Sequence, residues 1–126
     1  MPYDFQDSRG SVPAHQHANG GGWVADTAIV AKSAYVGPDA KVFGHAKVSS
    51  TAMVSGNAKV FGNAWVSGSA VVSGSAMVSG NAKVSGDAVV FGHAMVSGSA
   101  MVSGSAEVSS NAMVYDNAMV SGDAEV

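Results

Sequence analysis

Valine recurs at every sixth position from Val24 to Val126, eighteen times without a gap. Alanine stands two residues before it from Ala28 to Ala124, while the residue between the two ranges over Lys, Met, Trp, Val, Tyr, Ile and Glu. Glycine usually follows two residues after the valine, as at Gly44, Gly56, Gly62 and every sixth position from Gly68 to Gly104. The next residue is Asn, Ser, Asp, Thr or His, so the unit reads A-x-V-x-G-[N/S/D].

The alternation in A-x-V predicts a very short strand with alanine and valine on one side and the variable residue on the other. Valine is β-branched and suits a packed sheet surface. The x-G-N step predicts a corner, because glycine tolerates positive φ and Asn, Asp or Ser can bond back to the local backbone. A period of six matches neither helical apolar spacing, so no helix is predicted. Strands this short are not stable singly, but successive coils can pair their backbones above and below and enclose a thin core of small side chains.

The hexads VSGNAK, VFGNAW and VFGHAM resemble the hexapeptide repeat of left-handed parallel β-helix proteins, in which an aliphatic residue is followed four positions later by a small one. The resemblance covers residues 22–126, and the opening GGWVADTA is also similar to uncharacterised hexapeptide-repeat proteins of bacteria and their phages. It implies an all-β, left-handed parallel β-helix, a triangular solenoid with three hexads per coil. Eighteen residues per coil give nearly six coils, and at roughly 4.8 Å per coil the prism stands about 28 Å tall. No hexad carries an insertion, so no loop is expected to leave the prism.

Composition fits a periodic architecture, with 16 glycines, 7 methionines, no cysteine and 12% charged residues in 126. A hydrophobic content of 47% argues against disorder, and the lack of cysteine excludes disulfides and thiolate metal sites. Residues 1–21 form a polar leader with no basic-apolar signal pattern, expected to dock on its own or a neighbouring subunit. No apolar run approaches the ~18 residues of a membrane span. Charge is unevenly placed. Lys32, Lys41, Lys47, Lys59 and Lys83 face only Asp39 over residues 27–83, whereas Asp87, Glu107, Asp116, Asp123 and Glu125 meet no base over residues 84–126.

If residues eighteen apart stack, the outward positions form three stripes. The first is Trp23, Lys41, Lys59, Met77, Met95, Met113; the second is Ile29, Lys47, Trp65, Lys83, Met101, Met119; the third is Tyr35, Met53, Val71, Val89, Glu107, Glu125. Contiguous apolar stripes mark protein contacts more often than solvated surface, and methionine suits adaptable packing. Trp23, Val71, Met77, Val89, Met95, Met101, Met113 and Met119 are therefore candidate assembly residues. Val126 ends the sequence as a core valine in register, so it joins Asp123 and Glu125 as the candidate contact of an open end with a basic neighbouring half. The expected partner is the chain itself, head to tail and side by side, and a non-closing contact of that kind propagates into a filament.

Catalytic, cofactor and metal sites are not expected. His45 and His93 lie 48 positions apart on different corners, roughly 13 Å along the axis, too far to share a metal ion. A zinc site like that known in some carbonic-anhydrase-like left-handed β-helix trimers is thus unsupported. His15 and His17 are expected in a solvated loop. Phe43 and Phe61 are expected to stack on one corner, with His45, Asn63, Asn81, Ser99 and Asn117 as a polar ladder beside them. The sequence shows neither a phosphate loop nor a basic aromatic groove for nucleic acid. The resemblance offers two rivals: a trimeric hexapeptide acyltransferase, which would need an extruded loop and a catalytic histidine, and a phage or cell-surface fibre module binding host glycan.

Overall fold

The computed structural model describes residues 2–4 and 11–122, and among these it has nineteen strands and no helix. Strands β1 (Pro2–Asp4), β2 (Ser11–Gln16) and β3 (Trp23–Ala25) open the chain. Sixteen two-residue strands follow at six-residue intervals, from β4 (Ile29–Val30) and β5 (Tyr35–Val36) to β18 (Met113–Val114) and β19 (Met119–Val120). Each is one outward residue plus its valine.

The strands are dealt in rotation to three parallel sheets, and each pairs with the strand eighteen residues on, as Val24 with Val42 and Val42 with Val60. The three faces hold six, six and five repeat strands, so the described residues complete five turns and two strands of a sixth. The result is a parallel β-solenoid with a triangular arrangement of sheets.

Inward positions are uniform. From Ala34 and Val36 to Ala106 and Val108, every repeat alanine and valine is fully buried in one continuous core. Small side chains are what a prism this narrow admits, since facing sheets would otherwise be forced apart.

Backbone bonding runs coil to coil within each hexad. In the hexad of Lys59 to Ala64, the Lys59 N–H donates to Ala76 O (3.0 Å), Phe61 N–H to Val78 O (2.9 Å) and Asn63 N–H to Gly80 O (2.7 Å). The corner closes on itself by a four-residue turn, as where Ala58 N–H donates to Ser55 O at 3.2 Å. The second residue of that turn, Gly56, has φ 62°, and a Cβ there would stand 2.8 Å from Gly74 O in the next coil. Glycine is thus required twice over, by left-handed backbone and by close stacking. Ser50, Ser110 and Asp116 occupy the same turn position with φ of 55–59°.

The leader folds back onto the first coil. Strand β2 runs antiparallel to β3, with His15 opposite Val24 and Gln16 opposite Trp23, and β1 pairs antiparallel outside β2. The turn that follows reaches a second face: Val36 N–H donates to Asn19 O (3.1 Å), and Gly22 N–H donates to Val36 O (3.0 Å). Two of the three faces therefore carry the leader where a preceding coil would otherwise sit. On the remaining face β4 is the edge strand among the described residues, and Ile29 is exposed.

His17 anchors this cap, in contrast to the solvated loop that the sequence suggests, whereas His15 stays exposed as expected. His17 is buried, and its Nε2–H donates to Ala34 O at 2.8 Å, beside an Asn19 Nδ2–H bond to the same oxygen at 3.2 Å. His15 Nδ1 lies 2.8 Å from Asp26 Oδ1. Polarity misleads here because a short hairpin hides polar groups by pairing them, which no repeat pattern announces.

Candidate interaction surfaces

Outward residues form ladders because adjacent coils hold strict parallel register. On the first face the ladder is Trp23, Lys41, Lys59, Met77, Met95, Met113. The second face carries Ile29, Lys47, Trp65, Lys83, Met101, Met119. The third carries Tyr35, Met53, Val71, Val89, Glu107.

The candidate assembly residues differ in availability. Met95, Met101, Met113 and Met119 are exposed, rising to 71% at Met119. Met77, Val71 and Val89 are half-buried by their ladder neighbours. Trp23 is also half-buried, but against a small cluster of Ala14, Ala25 and Phe43 beneath the leader. Asp123, Glu125 and Val126 lie outside the described residues.

The second face holds a feature that sequence reasoning missed. Lys47 Nζ sits 4.7 Å and Lys83 Nζ 5.4 Å from the Trp65 ring centroid, one from the preceding coil and one from the following coil. Both ammonium groups are drawn to the electron-rich ring, which nevertheless stays 43% exposed. The signal was present in the stripe order Lys47, Trp65, Lys83, once the period of eighteen is accepted.

Corner ladders are largely self-contained. Phe43 and Phe61 stack with centroids 4.9 Å apart and planes at 3°, and Phe43 is buried. Asn63 Nδ2–H donates to Asn81 Oδ1 at 3.3 Å, and the Thr51 and Ser69 hydroxyls are 3.3 Å apart on another corner. Tyr115, on the phenylalanine corner, is exposed and separated from Phe61 by Ser79 and Ser97. Among the described residues no three His, Asp or Glu side chains converge as metal ligands.

Three parallel sheets, a thin continuous core and self-stacking corners define a β-solenoid repeat protein. A family model described as the YdcK beta solenoid repeat matches residues 58–74, within the most regular hexads. No curated protein and no solved structure matches the chain.

Proposed function

We propose that this chain is a structural, non-enzymatic rod that associates with further copies of itself. The observation that carries the reading is the run of outward apolar residues on regular, flat faces, with Met95, Met101, Met113 and Met119 exposed. Such surface lowers its free energy when covered, and a face with no projecting loop presents no obstacle to a second prism.

Side-by-side contact is better supported than the head-to-tail filament expected from the sequence. A neighbour arriving at the N-terminal end would find two faces already paired by the leader, and an antiparallel cap of that kind is how sheet edges are protected from further pairing. The charge asymmetry between the halves remains usable laterally, since rods lying antiparallel set a basic half beside an acidic one.

Analytical ultracentrifugation across a wide concentration range, with electron microscopy of the same samples, tests the proposal. Species growing with concentration, and rods aligned along their lengths, are expected. A monomer at every concentration would overturn it. Acetyl-CoA turnover, or selective binding on a glycan array, would instead favour the acyltransferase or host-glycan fibre reading.

A further inference from the structure

Six of the seven methionines lie among the described residues, and each stands at an outward position between its alanine and its valine. The continuous core is alanine and valine throughout, and the chain has no cysteine. Among the described residues, the sulfur atoms that two-electron oxidants attack are therefore all on the outside of the rod, and the packed interior offers such oxidants nothing.

Five of the six are gathered on one part of that surface. Met77 pairs with Met95 and Met95 with Met113 on the first face, and Met101 pairs with Met119 on the second. Successive methionines in each column are one coil apart, roughly 4.8 Å. The two faces meet at the corner that carries Ser97 and Tyr115, and Tyr115 is exposed. Exposure rises along the cluster, from 36% at Met95 and 39% at Met101 to 59% at Met113 and 71% at Met119. Met53 stands apart on the third face.

We infer that this methionine cluster is a reversible oxidation site, at which a hydroperoxide turns the contact surface of the rod from apolar to polar and so releases it from its neighbours. The inference rests on the self-association proposed above and adds its chemical control. In the reaction the sulfur lone pair attacks one peroxide oxygen, and an S–O bond forms as the O–O bond breaks. The proton on the transferred oxygen passes to the leaving hydroxide, which departs as water. Sulfur loses two electrons and the peroxide gains them. The product is a polar sulfoxide, and the reverse reaction, catalysed by the two epimer-specific methionine sulfoxide reductases, removes the oxygen as water while two thiols become a disulfide.

A sulfoxide covered by a second rod without a hydrogen-bond donor opposes association. In the free rod the same group faces water and leaves the alanine–valine core untouched. Folding and contact are thereby separable, which a methionine inside the core would not permit.

The test compares the full chain before and after mild hydrogen peroxide. Sulfoxide at each methionine is read by mass spectrometry, association by analytical ultracentrifugation, and folding by circular dichroism. Met113 and Met119 are expected to oxidise ahead of Met95 and Met101, with Met77 last of the five. Oxidation should raise the apparent dissociation constant about tenfold or more, the effect of a single buried polar group left unpaired. The melting temperature should move by less than about 5 °C. Treatment with both reductases should restore association. A chain carrying Met77→Leu, Met95→Leu, Met101→Leu, Met113→Leu and Met119→Leu together keeps apolar side chains of similar volume; it should associate as the parent does and be indifferent to peroxide.

Undiminished association of the oxidised chain would overturn the inference and leave self-association standing. Release of the five-leucine variant by peroxide would also overturn it, by placing the sensitive group elsewhere. A collapse of the melting transition on oxidation would do the same, since the methionines would then be part of what holds the fold. No recovery with the reductases would refute the reversibility. A reduced chain that stays monomeric at every concentration would remove both proposals.

Discussion

Val71 and Val72 are neighbours in one two-residue strand, identical in chemistry, and they belong to different regions of the molecule. Val72 points inward and is fully buried between Val54 and Val90 of adjacent coils, whereas Val71 points outward and is half-buried between Met53 and Val89. The inner surface repeats alanine and valine at every coil; the outer surface carries Lys, Met, Trp, Val, Tyr, Ile or Glu at the matching positions. Folding constrains one side of the strand and leaves the other free to carry contacts. The difference is a division of labour at a spacing of one residue.

The sharpest way to break that comparison is to put the same charge on both sides. Val72→Asp buries a carboxylate without a partner and is expected to cost more than about 4 kcal/mol, enough to abolish a cooperative thermal transition followed by circular dichroism. Val71→Asp should cost under about 1 kcal/mol and reveal itself in association instead. A similar loss of folding in both variants would refute the division. Next in size is the corner. Gly74→Ala adds a Cβ at φ 67° that would meet Gly92 N at 2.9 Å, and a destabilisation of about 2 kcal/mol or more is expected in chemical denaturation.

Smaller effects sharpen the outer side. Trp65→Ala removes the ring that Lys47 and Lys83 share, and a loss of up to about 1 kcal/mol is expected, shrinking in high salt. Ser110→Gly relieves a non-glycine residue at φ 55° and should raise stability by about 0.5–1 kcal/mol. A melting temperature that falls in this last variant would show that the Ser110 side chain contributes a bond worth more than the strain.

The prism was legible because its constraint is periodic. Ala58, Val60 and Gly62 repeat at Ala76, Val78 and Gly80, and a fixed period of eighteen converts a line of text into three ladders without further information. The Asn63–Asn81 bond and the Phe43–Phe61 stack follow from it directly. The cap was not legible, since its contacts are made once. Nothing in the repeat tells that Ala14 will pack on Ala25 and Phe43, or that His17 will be buried against Ala34 O. A clue lies in the strand itself, where Val12 and Ala14 alternate with Ser11, Pro13 and His15, but Pro13 speaks against an interior strand. In β2 it stands opposite Pro2, so two residues that lack an N–H face each other.

The unbroken hexad count governs which changes of length the architecture can absorb. Excising eighteen residues would remove one storey and return every later side chain to the column it already occupies. Excising six would turn all that follows by one wall: without residues 61–66, Val71 would come to rest directly on Lys47, and the lysine-free column would be cut in two. Growth and loss by whole storeys keep the outer pattern; any other multiple of six scrambles it while leaving the interior undisturbed.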